Sequence, residues 1–373
     1  MRIFCHAAML TLALCLFTLS LHAEEGLKKN FLNGDPEIKS IHALSFGPEN
    51  ILFVGDSKSA TIFAIDTREE AGAQPKEDIS MDQIDKKIAE MLGTGVENIT
   101  IQDMAINPLS KTVYLAIHYV DGTPVLLKLQ NNKLMNFDLK QVSYSKSMLP
   151  EAVDKDAKDQ RGRSLRGWAI SDLDYFNGSV LVSGLSNKEF SSALTMVPFP
   201  FQENEDQEVA TLEIWHASHG KFETHSPIKT FTATMLSGEP YIVASYTCTP
   251  LVLFPMDMLK KGMHVKGRTV AELGNRNTPL DIISMEKEGK SYLLMANTSR
   301  ALMKISYEHL EDFKGSLTDP VPGNSETAGI DFINLPLVNV LQLDKLDDQR
   351  FVMLQRKSDG NLDLITGTAD RWL

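Results

Sequence analysis

Three histidines crowd into EIWHASHGKFETHSPIK, the stretch 213–229: His216, His219 and His225. Imidazoles in such a run can hold a transition metal or act as general bases, provided the chain turns them toward one point. His216 and His219 are three residues apart. On a continuous strand an odd spacing sends them to opposite faces, which makes them structural histidines at the end of an outer strand. A turn starting at Ala217 is the one arrangement that would reunite them. His225 lies just ahead of the next expected inner strand and is the candidate site residue of the three. Cys248, in SYTCTPLV, could serve as a nucleophile with His225 as its base, or simply as a small apolar group. The chain has no H-E-x-x-H, C-x-x-C, C-x-x-C-H or G-x-S-x-G, and no Rossmann or P-loop glycine pattern. Any chemistry must come from residues that the fold gathers from separate segments.

The first segment, MRIFCHAAMLTLALCLFTLSLHA, reads as a secretory signal peptide cleaved after Ala23. Arg2 supplies the positive start, and the apolar run is interrupted by His6, Thr11, Thr18 and Ser20, unlike a spanning helix. Cleavage removes Cys5 and Cys15, leaving Cys248 alone and no internal disulfide. Residues 24–373 are then expected to form one domain with a periplasmic or secreted location and no stable membrane insertion. The formal charge of −12 argues against nucleic acid as a partner.

Six similar units must position the side chains. They are HALSFGPENILFVGDSKSATIFAID, DMAINPLSKTVYLAIHYVDGTPVLLKL, DLDYFNGSVLVSGLSNKEFSSALTMV, TATMLSGEPYIVASYTCTPLVLFPM, DIISMEKEGKSYLLMANTSRALMKIS and NVLQLDKLDDQRFVMLQRKSDGNLDLIT. Each alternates short apolar, β-branched runs with turn residues, three or four strands to a unit. Repetition of this kind predicts an all-β fold, a β-propeller of six blades, with a seventh near 141–166 as the alternative. One helix is inserted near 80–93: SMDQIDKKIAEMLG offers Ser80 and Gln83 as a capping box, with Ile84, Ile88, Met91 and Leu92 on one face and Gly93 at the end. Residues 144–164 read as a polar excursion. ILFVGDSKSATIFAID and YLLMANTSRALMKIS resemble the strand–turn–strand units of bacterial YVTN- and NHL-type propellers. That resemblance implies an exported propeller and carries no activity.

In a propeller blade the strands alternate direction from axis to rim, so the crossings between blades and the turns between second and third strands emerge on one face. The units begin with His42, Asp103, Asp172, Thr232, Asp281 and Asn339, and their second strands end with Asp56, His118, Leu185, Tyr246, Asn297 and Arg356. Lys58, Arg166, Trp168, Arg276 and Arg300 fall in the same loops. The candidate ligand-binding set is therefore Asp56, Lys58, Asp103, His118, Arg166, Trp168, Asp172, His225, Tyr246, Arg276, Asp281, Asn297 and Arg300. Its cations suit an acidic protein segment or a small anionic ligand; as buttresses they would pair with Asp172, Asp281 and Asp56. Asp103, Asp172 and Asp281 could instead hold calcium on the axis, as in the lactonase-like hydrolases whose six-bladed architecture this resembles. The expected function is an exported binding propeller. The alternatives are a calcium-dependent hydrolase or lactonase and, behind it, an oxidoreductase.

Overall fold

The apolar quartets of the sequence become the second strands of six sheets, and their continuity has a simple cause. In Ile51–Asp56 the side chains of Ile51 and Phe53 pack toward one neighbouring sheet, and those of Leu52 and Val54 toward the other. A blade between two blades buries both faces, so neither parity can be polar. The computed structural model describes residues 26–71, 78–202, 206–274, 276–323 and 326–373; the proposed leader 1–23 lies outside them. No helix among the described residues is long and apolar enough to cross a membrane.

From axis to rim, blade I contains Ala43–Phe46, Ile51–Asp56, Thr61–Asp66 and Val142–Met148, with Leu32–Gly34 added outside. Blade II contains Ile99–Ile106, Val113–Tyr119, Pro124–Gln130 and Lys133–Asn136; blade III contains Asp172–Phe176, Ser179–Leu185, Ser192–Pro198 and Glu208–His216. Blade IV contains Ile228–Leu236, Glu239–Tyr246, Pro250–Pro255 and Arg268–Glu272; blade V contains Pro279–Lys287, Lys290–Asn297, Met303–Ser306 and Ile333–Asn334. Blade VI contains Val340–Lys345, Arg350–Arg356, Leu362–Thr368 and Ser80–Met81.

Chain order is not ring order. Blade I packs against II on one side and III on the other, and the six apolar clusters fall one at each interface of the ring II–I–III–IV–V–VI. The chain lays down three strands of blade I and crosses backward to close the rim of blade VI with Ser80–Met81. It then builds blade II and returns to finish blade I with Val142–Met148. Closing two sheets with strands distant in sequence ties the ring shut and leaves few open edges.

Two expectations need correction. Val142–Met148, expected to lie in an excursion or a seventh blade, is the fourth strand of blade I. Its buried positions include Ser145 and Ser147, so no apolar alternation marks it. The inserted helix is Ile84–Met91, and its N-cap is Gln83 in the left-handed region (φ 52°), with no side-chain cap. Ser80 cannot cap because its backbone pairs with Ile365. The start is held instead from blade VI: Asp363 accepts from Gln83 N–H at 2.9 Å, and Asp85 accepts from Leu362 N–H at 3.1 Å. Ile84 and Ile88 fill the seam between blades VI and II, while Met91 is exposed. Ile88→Ala should therefore cost about 3 kcal/mol in urea unfolding, by cavity formation. Lys87→Ala, on the exposed side of the same helix, should change stability by less than about 0.5 kcal/mol.

Candidate functional site

The axis of the ring is a cavity of about 530 Å³ bounded by the six inner strands. An inner strand has no partner on its axial edge, so its free N–H groups need acceptors. Five aspartates on these strands supply them. Asp103 accepts from its successor Met104 (2.8 Å) and from Leu44 of blade I (2.6 Å). Asp172 accepts from Leu173 (2.8 Å) and from Phe231 of blade IV (2.9 Å). Asp174, two residues on and on the same face, accepts from Tyr175 (2.7 Å) and Ala233 (2.8 Å). Asp281 takes Ile282 (2.8 Å) and Leu343 of blade VI (2.7 Å), and Asp344 takes Lys345 (2.6 Å) and Ile106 of blade II (2.6 Å). In each pair one oxygen serves the aspartate's own strand and the other serves the next blade, always in the same sense around the ring.

The repeats place these residues deeper than the unit starts suggest. The inner strands of blades II and V begin before Asp103 and Asp281, and a register irregularity precedes each aspartate: Ile101/Asp103 and Pro279/Asp281. Such a bulge re-aims the side chains that follow. Asp103 and Asp281 consequently line the channel, and Asp172, which opens its strand with no irregularity, lines it as well.

The aspartates are half-buried by area because they face the cavity, while flanking blades crowd their carboxyls. Burial raises all five. Asp103 rises to about 8, with Asp172 adding repulsion, and Asp281 stands well above the usual range through burial and Asp103. Asp174 and Asp344 rise to about 7 and Asp172 to about 6, the last tempered by the amides and by Lys229. Lys229 is the cation that sequence reading missed. Its field reaches His42, Asp103 and Asp172, on three different blades. Its signal was its place three residues ahead of the unit start at Thr232, where Arg166 and Arg276 also precede their units; the structure puts it within the strand Ile228–Leu236.

The other predicted residues lie apart from the cavity lining. Asp56 is buried and clamps a turn, accepting from Lys39 N–H (2.8 Å), Ser40 Oγ (2.5 Å) and Ser59 Oγ (2.7 Å). His118 accepts from Ile41 N–H (2.9 Å) and meets His42 edge-on. Burial pushes the pKa of His42 down to about 4 and lowers that of His118. Asn297 is buried and bonded to Asn277 (2.7 Å). Lys58 donates to Gly122 O (2.9 Å), and Arg166 to Val153 O (2.5 Å) and Lys58 O (3.3 Å), so both buttress neighbouring segments. Trp168 packs into the I–III core and Tyr246 into the III–IV core. The guanidinium of Arg300 lies against Gly274, and Arg276 is exposed. His225 is exposed beside Ser191 Oγ (3.1 Å) and is not brought to Cys248, which lies near His216 and His219.

The cavity lining continues into turns between first and second strands, through Pro108 and Lys111 of blade II and Leu346, Asp347 and Asp348 of blade VI. The channel thus opens on the face opposite the expected mouth. Its polar lining holds seven aspartates, Lys111, Lys345, two serines and a threonine, with no histidine or cysteine; at the rim Lys345 pairs with Asp348 (2.8 Å) and Arg350 with Asp347 (2.7 Å).

No protein-family model and no curated protein sequence matches the chain. Among solved structures, a chain of a mitotic checkpoint complex matches at 10% identity and TM-score 0.39, covering 91% of each chain. A PQQ-bound aldose sugar dehydrogenase from Streptomyces coelicolor matches at 12% and 0.31, covering 90% of this chain and 96% of that one. A GH43 endo-arabinanase from Bacillus licheniformis matches at 12% and 0.37, covering 73% and 94%. The chain is a six-bladed β-propeller. This rests on its strand pairing.

The raised carboxyls set a pH dependence. Below its folded pKa each aspartate holds a proton that the unfolded chain, with a pKa of about 4, has released. The folded state therefore binds more protons, and stability falls as pH rises toward about 8. His216 adds in the same direction: burial opposes its charge, but Cys248 and Glu223 outweigh this and hold its pKa up to about 9. His42 and His118 oppose the trend only below their ordinary 6.5. Urea unfolding should thus show a loss of stability between about pH 6.5 and 8.5. Asp103→Asn should cost about 2 kcal/mol at the lower pH, since its amide sets a donor against a donor, and should flatten the decline.

Proposed function

We propose that the chain is an exported binding propeller whose central channel takes a small cationic ligand rich in amino groups, of the polyamine type. One observation carries this: a cavity of about 530 Å³ lined by five aspartates and rimmed by Asp347 and Asp348. That volume suits a small molecule. Carboxyls already fixed by backbone amides present a pre-organised wall of acceptors whose negative charge grows as pH rises through about 6 to 8, favouring ammonium groups over anions even with Lys111 and Lys345 in the lining. The cations that suggested an anionic ligand sit on the other face, where Lys58 and Arg166 are bonded to backbone carbonyls. A lining without histidine or cysteine supports binding over nucleophilic catalysis. The apolar leader that starts at Ile3 supports export.

Calorimetry of the leaderless protein should show saturable spermidine binding that weakens with salt. Asp348→Lys, at the exposed rim, should weaken it about tenfold without loss of fold. Citrate binding that Arg276→Ala and Arg300→Ala abolish would instead favour the anion-binding face. Stoichiometric calcium, stripped by EDTA with a large fall in Tm, would point to the metal-dependent hydrolase, for which Asp103, Asp172 and Asp281 are the converging carboxylates.

A further inference from the structure

The histidine stretch folds as a hairpin. Glu208–His216 ends at the rim of blade III, residues 217–220 turn, and Lys221–Glu223 pairs back, with Glu223 opposite Ile214. The turn begins at Ala217, and His219 N–H donates to His216 O (3.1 Å). This swings His219 over His216, with ring centroids 3.9 Å apart. Cys248, in the turn between the second and third strands of blade IV, meets them across the III–IV seam. One ligand atom from each of the three residues lies within 4.8 Å of the others.

His216 is fully buried, yet neither ring nitrogen makes an aligned hydrogen bond. Nδ1 is 3.1 Å from Glu223 Oε2 but off the donor line, and Nε2 is 3.9 Å from Glu272 Oε2. Buried polar atoms without partners are rare and costly. Here they cluster: Ser218 Oγ, Thr249 Oγ1 and Glu272 Oε1 are unpartnered as well. Glu223 reaches His219 Nδ1 at 2.6 Å; it borders the three-residue group and would have to turn toward Cys248 to complete a set of four.

We infer that His216, His219 and Cys248, with a carboxylate oxygen of Glu223, bind one zinc-class divalent ion that joins the rim of blade III to blade IV. Two imidazoles, a thiolate and a carboxylate are a donor set for zinc, not for calcium or magnesium. A zinc tetrahedron needs donor atoms about 3.3–3.8 Å apart, as its bond lengths of about 2.0–2.3 Å dictate, so the three donors, now within 4.8 Å of one another, would close by about 1.5 Å at most. Binding gives the orphaned His216 nitrogen a partner and releases two protons to solvent, the thiol proton of Cys248 and the proton of the ligating His216 nitrogen. Glu272, buried below His216 and accepting from Ser218 N–H (3.1 Å), acts as an outer carboxylate that orients the ring.

The test is zinc and cobalt titration of reduced, leaderless protein against a chromophoric chelator. One equivalent is expected, with a thiolate-to-cobalt charge-transfer band and a higher Tm. Cys248→Ser should abolish the band and His219→Gln should remove the stoichiometric binding; both side chains are partly exposed, so these variants test the site even if His216→Ala fails to fold. Glu272→Gln should weaken zinc about tenfold. His309→Ala, elsewhere on the surface, should bind as the wild type does. Substoichiometric zinc, or binding that survives Cys248→Ser and His219→Gln, would overturn the inference. So would rapid alkylation of Cys248 that zinc does not block, which would mark a cysteine–histidine–glutamate nucleophile instead.

Discussion

The free axial edge of the inner strands is the constraint on which this propeller depends. Six sheets meet at a channel, and each presents main-chain donors there that no strand can pair. A carboxylate two bonds from the backbone can accept from its own successor and still reach across to the adjoining blade. Asp103, Asp172, Asp174, Asp281 and Asp344 all do this in one rotational sense. Among the described residues no aspartate links blades I and III or blades IV and V. At the first of these seams Ser57 takes over, donating to Ile170 O (2.8 Å) and accepting from Ile170 N–H (3.3 Å). At the second, Thr278 donates to Thr247 O (3.1 Å).

The same geometry gives the channel its character. Satisfying amides concentrates acid on the axis, and burial there raises each carboxyl, so the ring is partly protonated near neutrality. A protonated carboxyl keeps one strong acceptor oxygen and accepts only weakly through its hydroxyl, so protonation loosens one of the two bonds of each staple. The charge presented to the cavity changes with pH as well. On the proposed reading, the atoms that staple the blades are also those that would meet a ligand, and the unit starts Asp103, Asp172 and Asp281 serve both.

Legibility followed burial on two faces. The quartets ILFV, YLAI, VLVS, IVAS, LLMA and FVML announced six blades because a strand between two blades must be apolar at both parities. What depended on long-range pairing was not legible. Val142–Met148 buries serines, so pattern alone could not return it to blade I across an intervening blade. Ser80 had the sequence of a cap and the pairing of a strand. Asp103 and Asp281 stand out as a set in the sequence, but the bulges that turn them inward leave no residue signature, so the cavity's reach toward the turns between first and second strands was not legible. Lys58 and Arg166 were legible as cations, whereas their carbonyl partners, Gly122 and Val153, were not.

The histidines show why spacing is conditional evidence. Parity separates His216 from His219 only while the strand continues, and the strand stops at His216. Ser218 and Gly220 stand within the four-residue turn, and Gly220 has φ +60°, a conformation that favours glycine. Once the turn is granted, spacing of three brings the imidazoles together rather than apart. The third donor could not be inferred from spacing at all, because Cys248 belongs to the next blade. The cluster exists only because the rim strand of blade III and the second turn of blade IV surface on the same face, which follows from alternating strand direction. The inferred metal-ligating set would be assembled by propeller topology with no local motif, and its trace in the folded chain is a buried imidazole whose nitrogens make no aligned hydrogen bond.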